Sequence, residues 1–180
     1  MTQTIILYIA VSRDGFITDD QGGVSWMQST QNYGRDYEEF CGTIDTVIMG
    51  SKTYEQAIST GKWPYQGKKA FVFTKRKFAE NSSEINFVPP NVTEFINQIH
   101  KDSSVKKIWL VGGAELIRSF CDNELIDEYI ITTIPKDIQY GIRLPKTVLN
   151  KTSFKPIARK TYPDMVTQEH YVKLKKCDVT

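Results

Sequence analysis

The spacing of hydrophobic and polar positions changes several times along the chain, and each change marks an element. Ile5-Ile6-Leu7-Tyr8-Ile9-Ala10-Val11 is a near-continuous apolar run, the pattern of a strand covered on both faces. Ser12 to Trp26 is rich in Gly, Asp and Ser and reads as a long loop. Tyr33, Tyr37, Phe40 and Cys41 then recur at helical spacing. Thr46 to Met49 is a short strand closed by Gly50, and Thr53, Tyr54, Ala57 and Ile58 predict a helix after it. Lys69 to Thr74 reads as a strand, and Val92 to His100 as a helix with Val92, Phe95, Ile96 and Ile99 inward. A run of β-formers from Lys107 reaches Gly112-Gly113 and passes directly into a helical pattern at Leu116, Ile117 and Phe120. Glu128 to Ile134 is a further strand. The last forty residues alternate instead: 154–160 and 167–175 flank a turn at Tyr162-Pro163-Asp164, which predicts an antiparallel hairpin. Together these predict an α/β fold: one three-layer domain over residues 1–180, with a mixed, mostly parallel central sheet finished by the hairpin. No linker, repeat or low-complexity block interrupts it.

The junction Val111-Gly112-Gly113-Ala114-Glu115-Leu116 is the most informative stretch. Paired glycines let backbone approach a ligand where a Cβ would block it. The free N–H groups of the following helix favour an anion at that place. A tight turn alone would use the same glycines, so both readings stand on local pattern. It is not the G-x-G-x-x-G dinucleotide fingerprint, nor a P-loop, since no G-K-[ST] follows.

Bulk properties narrow the setting. At 180 residues, 40% hydrophobic and 24% charged, the chain can bury a substantial core and has an ordinary globular composition. A formal net charge of +2 points to no dedicated polyanion such as nucleic acid. Cys41, Cys121 and Cys177 are far apart with no C-x-x-C, which predicts reduced thiols and a cytoplasmic location. No apolar run approaches the roughly 20 residues of a membrane span. The isolated His100 and His170 predict no metal centre and no serine triad.

Three turns follow predicted strands and can converge on one ligand: Gly50-Ser51-Lys52-Thr53, Thr74-Lys75-Arg76 and the Gly112-Gly113 junction. Ligands of open α/β sheets sit outside the carboxyl ends of strands. Lys52, Lys75 and Arg76 are suited to phosphates, although a solvated basic loop is the ordinary fate of such residues. Asp36 lies on the first predicted helix with Phe40 one turn on. A carboxylate there can hold an amino-pyrimidine edge or supply protons. It can equally be a first-turn acid favoured by the helix dipole.

These residues together resemble the dihydrofolate reductase-like superfamily over almost the whole chain. The similarity is strongest in Asp45-Thr46-Val47-Ile48-Met49-Gly50-Ser51-Lys52-Thr53-Tyr54-Glu55 and in Trp109-Leu110-Val111-Gly112-Gly113. Ser12-Arg13-Asp14-Gly15-Phe16-Ile17, Gly23, Trp26 and Leu125-Ile126-Asp127-Glu128 are similar to one branch, the C-terminal reductase domain of the bifunctional riboflavin-biosynthesis deaminase–reductase. The resemblance implies NADPH along the carboxyl edge of the sheet. Ala10 and Ile17 would hold the nicotinamide carboxamide, Gly50 to Thr53 the pyrophosphate, and Thr74 to Arg76 the adenosine 2′-phosphate. Gly112-Gly113 would carry a cis peptide, followed by Ala114, Glu115 and Leu116 at the cofactor. Asp36 would be the catalytic acid, supported by Thr132, with Tyr8, Trp26, Tyr33 and Phe40 around the substrate. Ser51 stands where folate reductases have arginine, Ala114 replaces a third glycine, and Lys68 takes the place of the folate-clamping arginine.

The resulting expectation is an NADPH-dependent reductase of a pyrimidine- or pteridine-like heterocycle, of the riboflavin-pathway type, and the resemblance implies a homodimer. Dihydrofolate reduction, an NADPH-binding module with little turnover, and a structural domain are the alternatives.

Overall fold

The computed structural model describes residues 3–27, 34–59, 61–76, 84–149 and 153–174. Its strands form an eight-stranded sheet built outward from β1 (Thr4–Ser12). On one side of β1 stand β6 (Lys107–Gly112), β3 (Thr46–Gly50), β4 (Lys69–Phe73) and β5 (Ile85–Val88), all parallel. On the other stands parallel β7 (Glu128–Ile134), followed by antiparallel β10 (Thr167–Lys173) and β9 (Phe154–Thr161). A two-stranded ribbon pairs β2 (Phe16–Thr18) with β8 (Ile142–Arg143). Strand β2 lies inside the stretch that the sequence reads as loop. Its three residues are too few to show a period. Strand β5 likewise carries no signal of its own, being a short edge strand with every residue half-buried.

Helices cover both faces. Alternate β1 residues Leu7 and Ile9 pack with Phe95 and Ile96 of α3 (Val92–Ile99) and with Ile117 and Phe120 of α4 (Ala114–Asp122). The opposite β1 residues, Ile6 and Tyr8, pack with Phe40 and Ile44 beneath α1 (Gly34–Thr43), where Tyr54 and Ala57 of α2 (Ser51–Ser59) also rest. The near-continuous apolar run of β1 is therefore the result of a helix layer on each side. A short α5 (Lys146–Leu149) adds Val148 to the first of these cores.

Two acidic residues set the register at the amino edge. Asp45 accepts the N–H groups of Lys106 and Lys107, at 3.0 and 2.9 Å, and so places β6 beside β3. Asp127 accepts the Ile5 N–H at 2.8 Å and places β1 beside β7. At the other edge, Ser12 and Asp14 organise the first turn. Ser12 Oγ accepts the Phe16 N–H at 2.9 Å and donates to Asp14 at 2.6 Å. Asp14 also accepts the Gln139 N–H at 2.8 Å. The Ser-x-Asp-Gly opening is thus a clasp that fixes where Ile17 and the β8 ribbon sit.

Candidate active site

The carboxyl ends of β4, β3 and β6 are adjacent in the sheet, so the three turns singled out in the sequence do meet on one edge. Two of them open directly into helices, α2 after Gly50 and α4 after Gly113. The β3–β6 register shifts there: Ile48 faces Leu110, but Met49 faces Gly112. Val111 is therefore one extra residue on β6, a bulge that re-aims the strand end. Gly112 follows with φ +140°, a conformation that side chains rarely adopt. No cis peptide occurs among the described residues, so the cis bond expected at Gly112-Gly113 is absent. The bulge and the positive φ turn the chain instead. The Gly113 N–H donates to Thr53 Oγ1 at 3.1 Å and pins the start of α4 to the first turn of α2.

Beside this junction lies a cavity of about 450 Å³. Ala10 and Ile17 line it together with Thr53, Val111, Gly112 and Gly113, so one half of its wall is the sheet edge read from the sequence. The other half is aromatic: Tyr8, Tyr37, Tyr65 and Trp109. Tyr37 meets Tyr8 and Trp109 edge-on, with ring centroids 6.0 and 5.8 Å apart. Among the described residues lining the cavity none carries a charge. Burial, with Cys41 nearby, pushes the Tyr65 hydroxyl up to about 12. The Tyr37 hydroxyl is pushed well above its ordinary value, first by burial and then by Cys41. Both stay protonated, neutral donors.

Several expected site residues lie elsewhere. Phe40 stacks behind Tyr8, centroids 4.4 Å apart, and forms a second layer rather than the wall. Trp26 is buried with Ile134, Tyr162 and Val166 in a separate cluster. Tyr33 lies outside the described residues. The Leu116 side chain is buried in the core, which leaves only its backbone at the carboxyl edge of the sheet. Thr132 is fully buried, and its hydroxyl accepts from Gln168 Nε2 at 3.0 Å rather than supporting Asp36. Lys68 donates to the Cys41 and Ile44 carbonyls at 2.7 and 2.8 Å. It satisfies the carboxyl end of α1 and clamps no ligand carboxylate. Arg76 pairs with Glu55 at 2.7 Å, about half-exposed, while Lys52 and Lys75 are exposed.

Asp36 stands in the first turn of α1 but does not line the cavity. Lys160 Nζ donates to its Oδ1 at 2.8 Å, and the Tyr162 hydroxyl donates to its Oδ2. The Lys160 hydrogen bond, then that of Tyr162, hold its carboxyl below the usual range against the opposing effect of burial. It is a fixed negative charge. Val24, Met27, Tyr65 and Gln56 are lining residues that sequence reasoning missed, because no short-range pattern joins positions from three separate segments.

Residues 3–138 match the RibD C-terminal domain family, the reductase domain of riboflavin biosynthesis. The chain belongs to the RibD C-terminal domain family. Two relatives in Bacillus subtilis (strain 168) extend the likeness beyond that match. The uncharacterized protein YwjB is 35% identical over 175 residues, covering 96% of this chain and 99% of its own. The uncharacterized protein YyaP is 32% identical over 178 residues, covering 93% of each. A crystal structure from Shewanella sp. PV-4, of a protein provisionally named for riboflavin biosynthesis, superposes with a TM-score of 0.82. It is 24% identical and covers 96% of this chain and all of its own, so it establishes the dihydrofolate reductase-like fold through the final hairpin. The RibD C-terminal fold thus places an uncharged, aromatic-walled cavity beside two helix N-termini.

Proposed function

We propose that this RibD C-terminal domain protein is an NADPH-dependent reductase of a flat pyrimidine- or pteridine-like heterocycle, of the ribosylaminopyrimidine type. The observation that carries the reading is the bare glycine backbone between two helix starts, opening onto a neutral cavity. A Cβ added at Gly50 would meet only the Gly112 carbonyl oxygen at 4.0 Å, and one at Gly113 only Thr53 Oγ1 at 3.6 Å. Packing among the described residues therefore demands glycine at neither position. The close approach of a ligand would. The first N–H groups of α2 and α4 lack intrahelical partners and favour an anion there.

These residues fit a nicotinamide dinucleotide. Gly50 to Thr53 and the first turn of α4 would hold its pyrophosphate, and Thr74, Lys75 and Arg76 its adenosine phosphate. The backbone of Ala10 and Ile17 would hold the carboxamide at the cavity floor. When bound, the cofactor supplies a hydride. The chain contributes positioning: Tyr37, Tyr65 and Trp109 enclose a flat acceptor and keep water out. Asp36 enters this reading as a fixed charge that orients the start of α1 beside Tyr37.

Titration with NADPH, followed by nicotinamide fluorescence, tests the cofactor. Saturation in the micromolar range is expected, and its absence would remove the reading. Oxidation of NADPH with the riboflavin-pathway ribosylaminopyrimidine, and with dihydrofolate, then separates a reductase from a binding module. The pyrimidine should be the better acceptor, because no arginine clamp for a glutamate carboxylate faces the cavity among its described residues.

A further inference from the structure

Four aromatic residues wall the cavity, and three of them have their polar atoms engaged within the chain. The Tyr8 hydroxyl accepts from Gln168 Nε2 at 3.0 Å. The Trp109 indole N–H donates to the Tyr8 carbonyl at 3.1 Å. The Tyr37 hydroxyl is hydrogen-bonded to the Cys41 thiol. The fourth is Tyr65, whose hydroxyl has no hydrogen-bond partner among the described residues.

The rest of Tyr65 is firmly held. It is only 8% exposed. Its ring meets Trp63 and Trp109 edge-on, with centroids 5.1 and 5.5 Å apart. Its carbonyl accepts the Lys68 N–H at 3.2 Å. Phenylalanine would make the same ring contacts and the same backbone bond. The hydroxyl therefore adds nothing to the packing, and a buried polar group without a partner is costly. A ligand group in the cavity supplies the missing partner.

The chemistry of the wall selects that group. Tyr65 stays protonated, as burial raises it to about 12, so it offers a neutral O–H donor. No charge lines the cavity among its described residues, so a carboxylate or phosphate finds no counterion there. An amino group could only donate to the phenol oxygen and would leave the hydroxyl hydrogen unpaired. A ring oxo group accepts that hydrogen and is neutral.

We propose that Tyr65 sets the specificity of the cavity by donating its hydroxyl hydrogen to an oxo group of the bound ring. The substrate is then an oxo-pyrimidine rather than an amino-substituted ring, an assignment that rests on the reductase reading above for the fate of the ring. No bond to Tyr65 forms or breaks. The contact is the same before and during hydride transfer, so it acts on KM and not on kcat.

Two probes of one shape test this by isothermal titration without cofactor. One is 5,6-diaminouracil, and the other is 2,4,5,6-tetraaminopyrimidine, in which amino groups replace both oxo groups. The native protein should bind the first about tenfold more tightly, the effect of about one hydrogen bond. Tyr65→Phe should abolish that preference. It should also raise KM for the ribosylaminopyrimidine about tenfold while kcat and NADPH affinity stay within about twofold. Its melting temperature should match the native one, because the hydroxyl has no protein partner to lose. A native protein without the preference overturns the proposal and requires no variant. So does a Tyr65→Phe protein that keeps it, or one that melts lower and loses both probes equally, which would mark the hydroxyl as structural. A native protein that prefers the oxo probe but never oxidises NADPH overturns the reductase reading and leaves the Tyr65 contact standing.

Discussion

Single side chains separate what chemistry a residue type permits from what its neighbours allow it to do. Asp36 is legible in the sequence as an acid on a helix, one turn from Phe40. Lys160 and Tyr162 arrive from a hairpin more than a hundred residues later, and only they decide its charge state. Its folded-state pKa lies below the ordinary value, so its stabilising effect is full above about pH 4 and is lost as pH falls through the folded value. Asp36→Asn should therefore lose stability near neutrality and narrow the gap between neutral and acid melting temperatures. A native and a variant protein with parallel pH profiles would show that the ion pair contributes nothing. Arg76 belongs to the same scale. Its pair with Glu55 is about half-exposed on both sides and adds little to stability. In the proposed cofactor site it exchanges that partner for a phosphate. Arg76→Ala should weaken NADPH about tenfold, equivalent to about 1.4 kcal/mol, and leave NADH almost unchanged in parallel fluorescence titrations.

Elements are set by local pattern in their long stretches and by contact in their short ones. Strands β1, β6 and β7 and helices α3 and α4 are all legible because each has enough residues to show a period. The β2–β8 ribbon is not, since its strands have three and two residues. It exists because the Ser12–Asp14 clasp and Gly141 bring the segments together. Gly141 has φ +146°, and a Cβ there would sit 2.0 Å from the Thr18 carbonyl oxygen. Gly141→Ala must open the ribbon, with a loss of roughly 2 kcal/mol or more in urea unfolding, in the range of strained backbone. Gly112→Ala differs in cause. Its added methyl has room, the nearest atom being Ile117 Cδ1 at 3.9 Å, but its φ of +140° is strained for alanine. A loss of about 1–3 kcal/mol is expected from backbone strain alone. Thr53→Val should cost about 1 kcal/mol by leaving the Gly113 N–H without its acceptor. Equal stability of the native and Thr53→Val proteins would mean that water replaces this bond without loss.

At the scale of the molecule, the sheet runs from a covered centre to an exposed margin. β1 lies between β6 and β7 with helices on both faces, whereas β9 is an outer strand exposed along most of its length. Amide hydrogen exchange should be slowest in β1 and β6 and fastest, among the strands of the sheet, in β9. Uniform protection across all eight strands would contradict this gradient. The sequence alone determined the order of the long elements, the α/β class and the three turns at the carboxyl edge of the sheet. Hydrophobic period and glycine position are local properties, and local properties survive in one dimension. Which residues wall the cavity, that Asp36 is tied to Lys160, and that Gln168 reaches Tyr8 were decided by strand order and register. Those contacts join β1 to β10 and α1 to β9 across most of the chain, and a pairing between distant segments leaves no mark on the spacing within either.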